Sequence, residues 1–391
     1  MTVSSESIPP TETLGGVAAA TDRLLSVDVL RGFDMFWIIG AEGIVHSLSK
    51  TGTDNAFVAF LSNQMRHVPW EGFHFYDLIF PLFVFIIGVS IVLSMDRIVE
   101  KEGKAGAMRR IVKRGFILYL LNLFYYGGIG RYPDPGIRLV GVLQRLAFTY
   151  VCGALLYCNF KLRGLIVACA VILVGYWAAM TFIPAGVPGH MPEGGITQVS
   201  FEPGQNLAHY VDYHFLPGRR LETDWDPEGL LSAIPAVGSC LLGIFAGMLL
   251  KSRRFTPIQK VAWLAAGGVA LVLLGSLWGL QFPVIKKLWT SSYVLVAGGY
   301  SALLLAFFYL MIDVLEYRRW AAPFVWIGSN ALTVYLAVNL IDFDLIAERF
   351  VGGPVKASLG SYGDFGVTAM GLVLAILLTR WMYHRKIFIK V

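Results

Sequence analysis

Two histidines and two carboxylates lie close together in the segment HVPWEGFHFYD, directly before a long apolar run. The first histidine, His67, is followed at short range by Glu71 and Asp77. A histidine can take up a proton near neutral pH and can attack an acyl group, and a carboxylate can orient its ring. A loop histidine is usually just solvated, but Trp70 and the two carboxylates weaken that interpretation. The pattern therefore predicts a base or nucleophile at His67.

The first apolar segment carries charges that a membrane span would normally exclude. At 100° per residue, Asp28, Arg31 and Glu42 fall within an arc of about 60° on one helix, and Asp34 lies at its edge. Burying such groups is costly unless they are paired or face water. For Asp28 and Arg31 a plainer interpretation stays open, in which they cap the helix and reach the interface. The stripe otherwise predicts a helix that lines an internal polar cavity.

A second buried charge is found in the segment GVLQRLAFTY, where Gln144 and Arg145 lie inside an apolar stretch. Arg145 needs a partner there, and the segment ETDWDPEGLLSAI supplies Asp224, Asp226 and Glu228 as candidates. An ion pair that ties helices together and a polar cavity wall both fit this pattern. The two interpretations are compatible, because groups that line a cavity commonly also brace it.

The composition indicates which elements must position these side chains. Hydrophobic residues make up 56% of the chain, charged residues 15%, and the mean hydropathy is +0.63, outside the range of a soluble globular domain. Apolar stretches of about 20 residues, the length that crosses the hydrocarbon core, occur ten times. We predict an all-α, polytopic integral membrane protein with about ten transmembrane helices around a polar cavity. The predicted spans are 28–48, 77–95, 111–127, 138–158, 163–183, 228–250, 258–280, 291–313, 321–341 and 364–383.

Lysine and arginine are unequally distributed over the connections. Of 32 such residues, 20 fall on one alternating set of segments, which the positive-inside rule assigns to the cytoplasm together with both termini. The loops 49–76, 128–137, 184–227, 281–290 and 342–363 are then external. Residues 1–22 are rich in Ser, Thr, Pro and Gly and predict a disordered cytoplasmic tail. Residues 23–391 form the predicted transmembrane domain.

Several other kinds of site are not indicated. The four cysteines lie in apolar segments without CxxC spacing, which favours small buried side chains over a disulfide or a metal site. The net charge of +6 follows from the positive-inside excess, and no basic-aromatic pattern indicates nucleic acid. We therefore expect no metal and no nucleic-acid partner.

Seven segments, taken in order, resemble the heparan-α-glucosaminide N-acetyltransferase family of transmembrane acyltransferases. They are LLSVDVLRGFDMF, HVPWEGFHFYDLIFPLFVFIIGVSI, GVLQRLAFTY, WDPEGLLSAI, LWTSSYVLVAGG, GSNALTVYL and RKIFIKV. The resemblance covers nearly the whole chain, from Arg23 to Val391. It is most specific between His67 and Ser90.

The resemblance implies an enzyme that takes acetyl from cytosolic acetyl-CoA and delivers it across the membrane to the amine of a glucosamine-type sugar. In that family the histidine of the H-x-x-W-x-G stretch, here His67, is catalytic, either as a base or as the acetyl acceptor. The expected catalytic residues are His67, Asp77 and Glu42. The expected substrate-binding residues are Trp70, Gln144, Arg145, Asp226 and Glu228, and the expected coenzyme-binding residues are Asp28, Arg31 and Asn330.

The basic connection 96–114 is the predicted contact for the phosphates of the coenzyme. Its candidates are Arg109, Arg110, Lys113 and Arg114, since guanidinium and ammonium groups bind phosphate. Ordinary positive-inside bias is the stronger explanation of their presence, and phosphate binding is the alternative that stays open.

Two departures from the family pattern bear on the acceptor. The resemblance leads us to expect no counterpart here of the luminal N-terminal region and preceding helix of the animal enzyme, as in a homologue of the bacterial inner membrane. Glu42, in GAEGIVHSL, stands where an amide side chain is expected. The expected acceptor is therefore a glucosamine-containing periplasmic sugar or envelope glycan, and a homodimer is left open. The competing hypotheses are a proton-coupled sugar permease and a scaffolding membrane protein, the latter leaving the buried charges unexplained.

Overall fold

The computed structural model describes residues 24–51, 55–131, 136–190 and 199–388. Within these ranges the chain is helical, and its backbone forms one isolated antiparallel bridge, between Glu71 and Ile285. The predicted all-α class is confirmed. The predicted tail, residues 1–22, lies outside the described residues, as does part of the long loop 184–227.

Fifteen α-helices follow one another along the described ranges, and two π-helical turns extend or join them. The α-helices are α1 (Leu25–Phe36), α2 (Glu42–Ser49), α3 (Ala56–Gln64), α4 (Phe75–Tyr125), α5 (Val142–Asn159), α6 (Leu162–Phe182), α7 (Leu207–Phe215), α8 (Ala233–Lys251), α9 (Pro257–Gly279), α10 (Ser291–Tyr309), α11 (Ala322–Ser329), α12 (Ala331–Leu340), α13 (Phe343–Val351), α14 (Pro354–Ser358) and α15 (Gly363–His384). The π-helical turns are Trp37–Ala41, between α1 and α2, and Leu310–Val314, after α10.

Six helices in the described part of the chain are long and apolar enough to cross a membrane. They are Phe75–Tyr125, Leu162–Phe182, Ala233–Lys251, Pro257–Gly279, Ser291–Val314 and Gly360–His384. The count rises to seven if the pair Arg319–Ser329 and Ala331–Leu340, bent by 70°, is one broken span. A membrane protein with several spanning helices is therefore confirmed, whereas the predicted number of about ten is not.

Most of the difference in count has identifiable causes in the helices themselves. The predicted spans 77–95 and 111–127 both fall in the 51-residue helix α4, which is interrupted where Gly103 takes a φ of 71°, a left-handed conformation that favours glycine. The predicted span 28–48 is divided into α1, a π-helical turn and α2. The predicted span 321–341 is the bent pair. A hydropathy pattern does not report such interruptions, because they depend on backbone geometry.

The centre of the molecule is formed by α4, α8 and α10, while α6 and α9 lie at its edge. In the most apolar window of α8, 78% of the residues are buried, against 17% in that of α9. Exposed leucines and valines on α6 and α9 are what lipid contact requires, since apolar surface is stable against hydrocarbon tails.

The helices α1 and α11 cross with their backbones in near contact. A Cβ atom added at Gly32 would lie 1.8 Å from the carbonyl oxygen of Phe324, and one added at Gly328 would lie 2.0 Å from that of Asp28. Small residues at such a crossing allow close packing in a membrane. The crossing brings Asp28 and Arg31 next to the bend at Asn330.

Candidate active site

Asp77, in the first turn of α4, organises the loop that carries His67. Its carboxylate accepts hydrogen bonds from the backbone N–H groups of Val68 at 3.2 Å and His74 at 3.1 Å, and its Oδ1 lies 2.8 Å from Nδ1 of His67. The bond from His74 is part of the capping box that starts the helix. Asp77 is buried, with 1% of its surface exposed. One carboxylate with three donors thus holds the loop onto the helix.

The contacts of His67 determine which ring nitrogen is available for chemistry. An ionised carboxylate only accepts hydrogen bonds, so the contact with Asp77 places a proton on Nδ1 and leaves Nε2 unprotonated in the neutral ring. The ring lies against that of Tyr76, with centroids 4.8 Å apart, and 52% of the His67 side chain is exposed. This is the arrangement of a nucleophile or base oriented by a buried acid.

Lys286 lies beside both residues, although the sequence analysis did not single it out. Its Nζ is 3.0 Å from Nδ1 and 3.3 Å from Nε2 of His67, and 3.4 Å from Oδ1 of Asp77. Burial lowers the pKa of the Lys286 ammonium, while the negative charges of Asp77, Glu228 and Glu42 act in the opposite direction. A cation, an imidazole and a carboxylate therefore meet at one point.

A cavity of about 1080 Å³ extends from this point through the molecule. We call the part lined by His67, Tyr76, Glu228 and Lys286 the histidine end, and the part lined by Glu102, Arg109, Arg110, Lys113 and Arg114 the arginine end. Tyr76 and Glu102 both line the cavity from α4 before its break, and they are 26 residues apart. At 1.5 Å per residue, this separation is about 39 Å along the helix.

Polar side chains also line the cavity between its two ends. Arg31 donates a hydrogen bond from its guanidinium to the Ser90 hydroxyl at 2.8 Å and lies 3.3 Å from the Asp28 carboxylate. Asn330, at the bend between α11 and α12, lines the same space. Of the three predicted coenzyme-binding residues, Arg31 and Asn330 therefore face the cavity, and Asp28 holds Arg31.

Glu42 lies behind the cavity wall instead of in it. Oε1 of Glu42 is 3.3 Å from Nε2 of His46, one turn further along α2, and the charge of Glu42 acts on the neighbouring Tyr76 side chain. Tyr76 in turn lines the histidine end. Glu42 is thus placed to act on the site through the Tyr76 hydroxyl.

The expected ion pair between Arg145 and an acid of the segment 224–228 is not formed, because Arg138 takes its place. The Arg138 guanidinium donates two hydrogen bonds to Asp226, at 2.8 and 2.6 Å, and one to Glu228 at 2.7 Å. The charges of these acids raise the pKa of Arg138, and burial raises that of Glu228. A pairing partner cannot be chosen from sequence order alone when two arginines are seven residues apart.

Arg145 instead binds neutral groups. Its guanidinium donates to the carbonyl oxygen of Pro227 at 3.1 Å and to the Ser232 hydroxyl at 2.5 Å, and it lies 4.8 Å above the ring of Trp289. It is 1% exposed. These contacts tie α5 to the start of α8, which is the bracing role that the sequence left open.

The other predicted substrate-binding residues are distributed unevenly around the site. Among the described residues that line the cavity, Glu228 is present, whereas Trp70, Gln144, Arg145 and Asp226 are absent. Trp70 donates its indole N–H to the carbonyl of Phe201 at 3.1 Å and contacts His209 and Trp225. Burial lowers the pKa of that His209 to about 3. Trp70 therefore packs in a neutral aromatic cluster beside the site.

Three candidate site residues were not predicted from the sequence, although each has a sequence feature that could have indicated it. Lys286 belongs to a pair of lysines in a short loop where the charge distribution predicts few. Arg138 precedes an apolar helix in the same segment as Arg145. Tyr76 directly precedes Asp77, so the first turn of α4 places both near the loop that carries His67.

Residues 23–276 match the family described as heparan-alpha-glucosaminide N-acetyltransferase, catalytic. The Homo sapiens protein named heparan-alpha-glucosaminide N-acetyltransferase is 26% identical over 96% of this chain and 61% of its own length. The Mus musculus protein of that name is 28% identical over 83% of this chain and 56% of its own length. The chain thus spans about three-fifths of the length of these relatives.

Proposed function

Since the chain belongs to the heparan-α-glucosaminide N-acetyltransferase family, we propose that it transfers acetyl from acetyl-CoA, through the cavity, to the amine of a glucosamine-type sugar. The acceptor binds at the histidine end, on the external face of a bacterial inner membrane, and the coenzyme binds at the arginine end, on the cytoplasmic face. Both termini then lie in the cytoplasm.

The observation that carries this proposal is the single cavity with chemically different ends. The separation of about 39 Å between Tyr76 and Glu102 is close to the thickness of a bilayer with its headgroups, about 40 Å. The phosphates of coenzyme A are stabilised by arginine and lysine, which line one end. The nucleophile candidate lines the other. An acetyl group can pass along such a cavity while the nucleotide stays on its own side.

The chemistry follows from the unprotonated Nε2 of His67. In one route, Nε2 attacks the carbonyl carbon of the thioester, the C–S bond breaks, and coenzyme A leaves as a thiolate that takes up a proton. Asp77 stabilises the positive charge that the ring gains. The acceptor amine then attacks the acetyl carbon, the C–N bond to His67 breaks, and the released Nε2 takes the proton that the amine loses and passes it to water. In the other route, Nε2 takes the proton of the amine during direct transfer.

Glu228, Tyr76 and Arg31 complete the proposed roles. Glu228 and the Tyr76 hydroxyl face the histidine end, where they can bind the ammonium and hydroxyl groups of an amino sugar. Glu42 acts on the histidine end through its charge, which lies near Tyr76. Arg31 and Asn330, midway along the cavity, are proposed contacts of the pantetheine arm, with Asp28 holding Arg31.

The test is acetyl transfer by purified protein in proteoliposomes, with labelled acetyl-CoA and glucosamine supplied. We expect His67→Gln to lower the rate by about two to four orders of magnitude, because a base or nucleophile is lost. The matched control is His74→Gln, on the same loop, whose Nδ1 only reaches the backbone carbonyl of Arg66. It should keep most of the activity.

The outcomes separate the alternatives. Label on His67 with acetyl-CoA alone supports the acetyl-histidine route, and label only in the sugar product supports direct transfer. Full turnover by His67→Gln would contradict both. Uptake of the sugar without any dependence on acetyl-CoA would favour the permease.

A further inference from the structure

The loop that carries Lys286 is fixed against the loop that carries His67. The backbone N–H of Gly72 donates to the carbonyl of Val284 at 2.9 Å, and Glu71 and Ile285 form the isolated antiparallel bridge. The N–H of Ile285 also donates to the Thr290 hydroxyl at 3.1 Å. These contacts leave little freedom in the position of the Lys286 backbone. The short distances from its Nζ to His67 are therefore a built feature of the fold.

Asp77 alone would create a difficulty for a nucleophilic histidine. A carboxylate 2.8 Å from Nδ1 favours the protonated, positively charged ring, and a protonated ring has no lone pair to attack an acyl group. A positive charge beside the ring must oppose this effect if the ring is to stay neutral.

The Lys286 ammonium is the cation that faces this ring. It lies 3.0 and 3.3 Å from the two ring nitrogens, and its side chain is 22% exposed. Two unit positive charges at such a distance repel strongly even with the screening of water. The groups that face Lys286 are Asp77, Glu228, Glu42 and His67, while Tyr76 supplies a neutral ring on the other side of His67. Protonation of His67 is therefore opposed directly.

We infer that Lys286 is a positioning residue that acts through His67, holding the imidazole neutral beside Asp77 so that Nε2 keeps its lone pair for the acetyl group or the amine proton. The inference rests on the proposed function. Asp77 supplies orientation through the Nδ1–H bond, and Lys286 cancels the protonation that the same carboxylate would otherwise promote. Asp77 and Lys286 together therefore orient the His67 ring without promoting its protonation, whereas Asp77 alone would do both.

The neighbouring Lys287 has none of these contacts. Its Nζ lies 6.0 and 5.7 Å from the ring centroids of Trp70 and Trp225, and 3.6 Å from Glu222. Both lysines are in the same turn and have the same charge. Lys287→Met is therefore a matched control for Lys286→Met.

The deciding measurement is the rate at which diethyl pyrocarbonate modifies His67, followed by site-resolved mass spectrometry from pH 5 to 8. This reagent attacks only the neutral imidazole, and the exposed half of His67 is accessible to it. In Lys286→Met we expect the pH of half-maximal reactivity to rise by about one unit, the size expected for unit charges 3 Å apart with water-like screening. Lys286→Arg keeps the charge and should leave the midpoint near that of the wild type, as should Lys287→Met.

Activity gives a second readout. The acidic limb of the pH–rate profile for acetyl transfer should move upward in Lys286→Met, while the KM for acetyl-CoA stays within about twofold, since the arginine end is untouched. An unchanged midpoint in Lys286→Met, or an equal shift in Lys286→Arg, would overturn the inference. The diethyl pyrocarbonate measurement needs no turnover, so it decides the role of Lys286 even if the wild type transfers no acetyl. Unchanged modification of His74 shows that each variant keeps its fold.

Discussion

The two ends of the cavity are built in opposite ways. At the histidine end, the Lys286 Nζ, the Asp77 carboxylate and the His67 ring are in mutual contact, with each pair no more than 3.4 Å apart. At the arginine end, the basic residues are spaced along one helix and exposed. There the ion pair between Arg110 and Glu102, at 3.0 Å, joins side chains that are 58% and 43% exposed.

This contrast reflects two different physical tasks. Reacting atoms must be held within fractions of an ångström, because small displacements cost orders of magnitude in rate. Capturing phosphates requires positive charge near the right place, which mobile solvated side chains supply. Single substitutions should therefore be severe at the histidine end and mild at the arginine end.

The largest effect is expected for Asp77→Asn. The amide keeps the shape of the side chain but removes the charge that orients the Nδ1–H bond of His67 and stabilises the ring when it becomes positive. By analogy with other acid–histidine pairs, acetyl transfer should fall by about three to four orders of magnitude. The measurement is kcat in proteoliposomes, with thermal unfolding in detergent as a check on the fold.

Asp96→Asn is the matched control for Asp77→Asn. Asp96 lies on the same helix and contacts Lys251 and Tyr157, but does not line the cavity. Its ion pair is half exposed, so its loss should change stability by less than about 1 kcal/mol and leave the rate within a few-fold. Equal losses in the two variants would show that the effect is not specific to the histidine end.

The second-largest effect, a loss of stability, is expected in the buried ion cluster of Arg138, Asp226 and Glu228 behind the histidine end. Arg138→Met leaves Asp226 and Glu228 as buried acids without their cation, so we expect a loss of roughly 3–5 kcal/mol in stability. A double-mutant cycle with Asp226→Asn should give a coupling of at least about 1 kcal/mol. The measurement is reversible unfolding in mixed micelles.

Arg145→Met supplies the comparison for that cycle. Arg145 donates to the Pro227 carbonyl and the Ser232 hydroxyl, so its coupling to Asp226 should be clearly smaller than that of Arg138. A larger coupling for Arg145 would restore the pairing expected from the sequence and contradict the geometry. The histidine end would then be braced through Arg145 and not through Arg138.

The contrast between the ends also separates what the sequence could and could not predict. The composition and the apolar stretches predicted a helical membrane protein, because burial in lipid imposes composition directly. The pairing of His67 with Asp77 was predictable for a local reason, since the loop and the first helical turn lie ten residues apart. The basic residues of the arginine end were visible as a charge pattern on one segment.

The features that the sequence did not predict depend on contacts between distant parts of the chain or on breaks in the helices. Lys286 is 219 residues from His67, and Arg138 is 88 residues from Asp226, so neither contact has a local pattern. The break at Gly103 and the bend at Asn330 divide helices that periodicity treats as continuous. Trp70 looked like a site residue by its position, yet its partners Phe201, His209 and Trp225 come from a later loop and α7.

The smallest single effects are expected at the arginine end. Replacing Arg109, Arg110, Lys113 or Arg114 singly by Gln should raise the KM for acetyl-CoA by about twofold to fivefold with kcat unchanged, because each exposed charge contributes about 0.4–1 kcal/mol. The four changes together should raise the KM more than any one of them, and the wild-type KM should rise with salt as the charges are screened. Lys101→Gln, on the same helix but outside the cavity lining, is the control for charge alone. If one of the four variants instead abolished turnover at saturating acetyl-CoA, the arginine end would be positioning reacting atoms as strictly as the histidine end, and the contrast between them would be wrong.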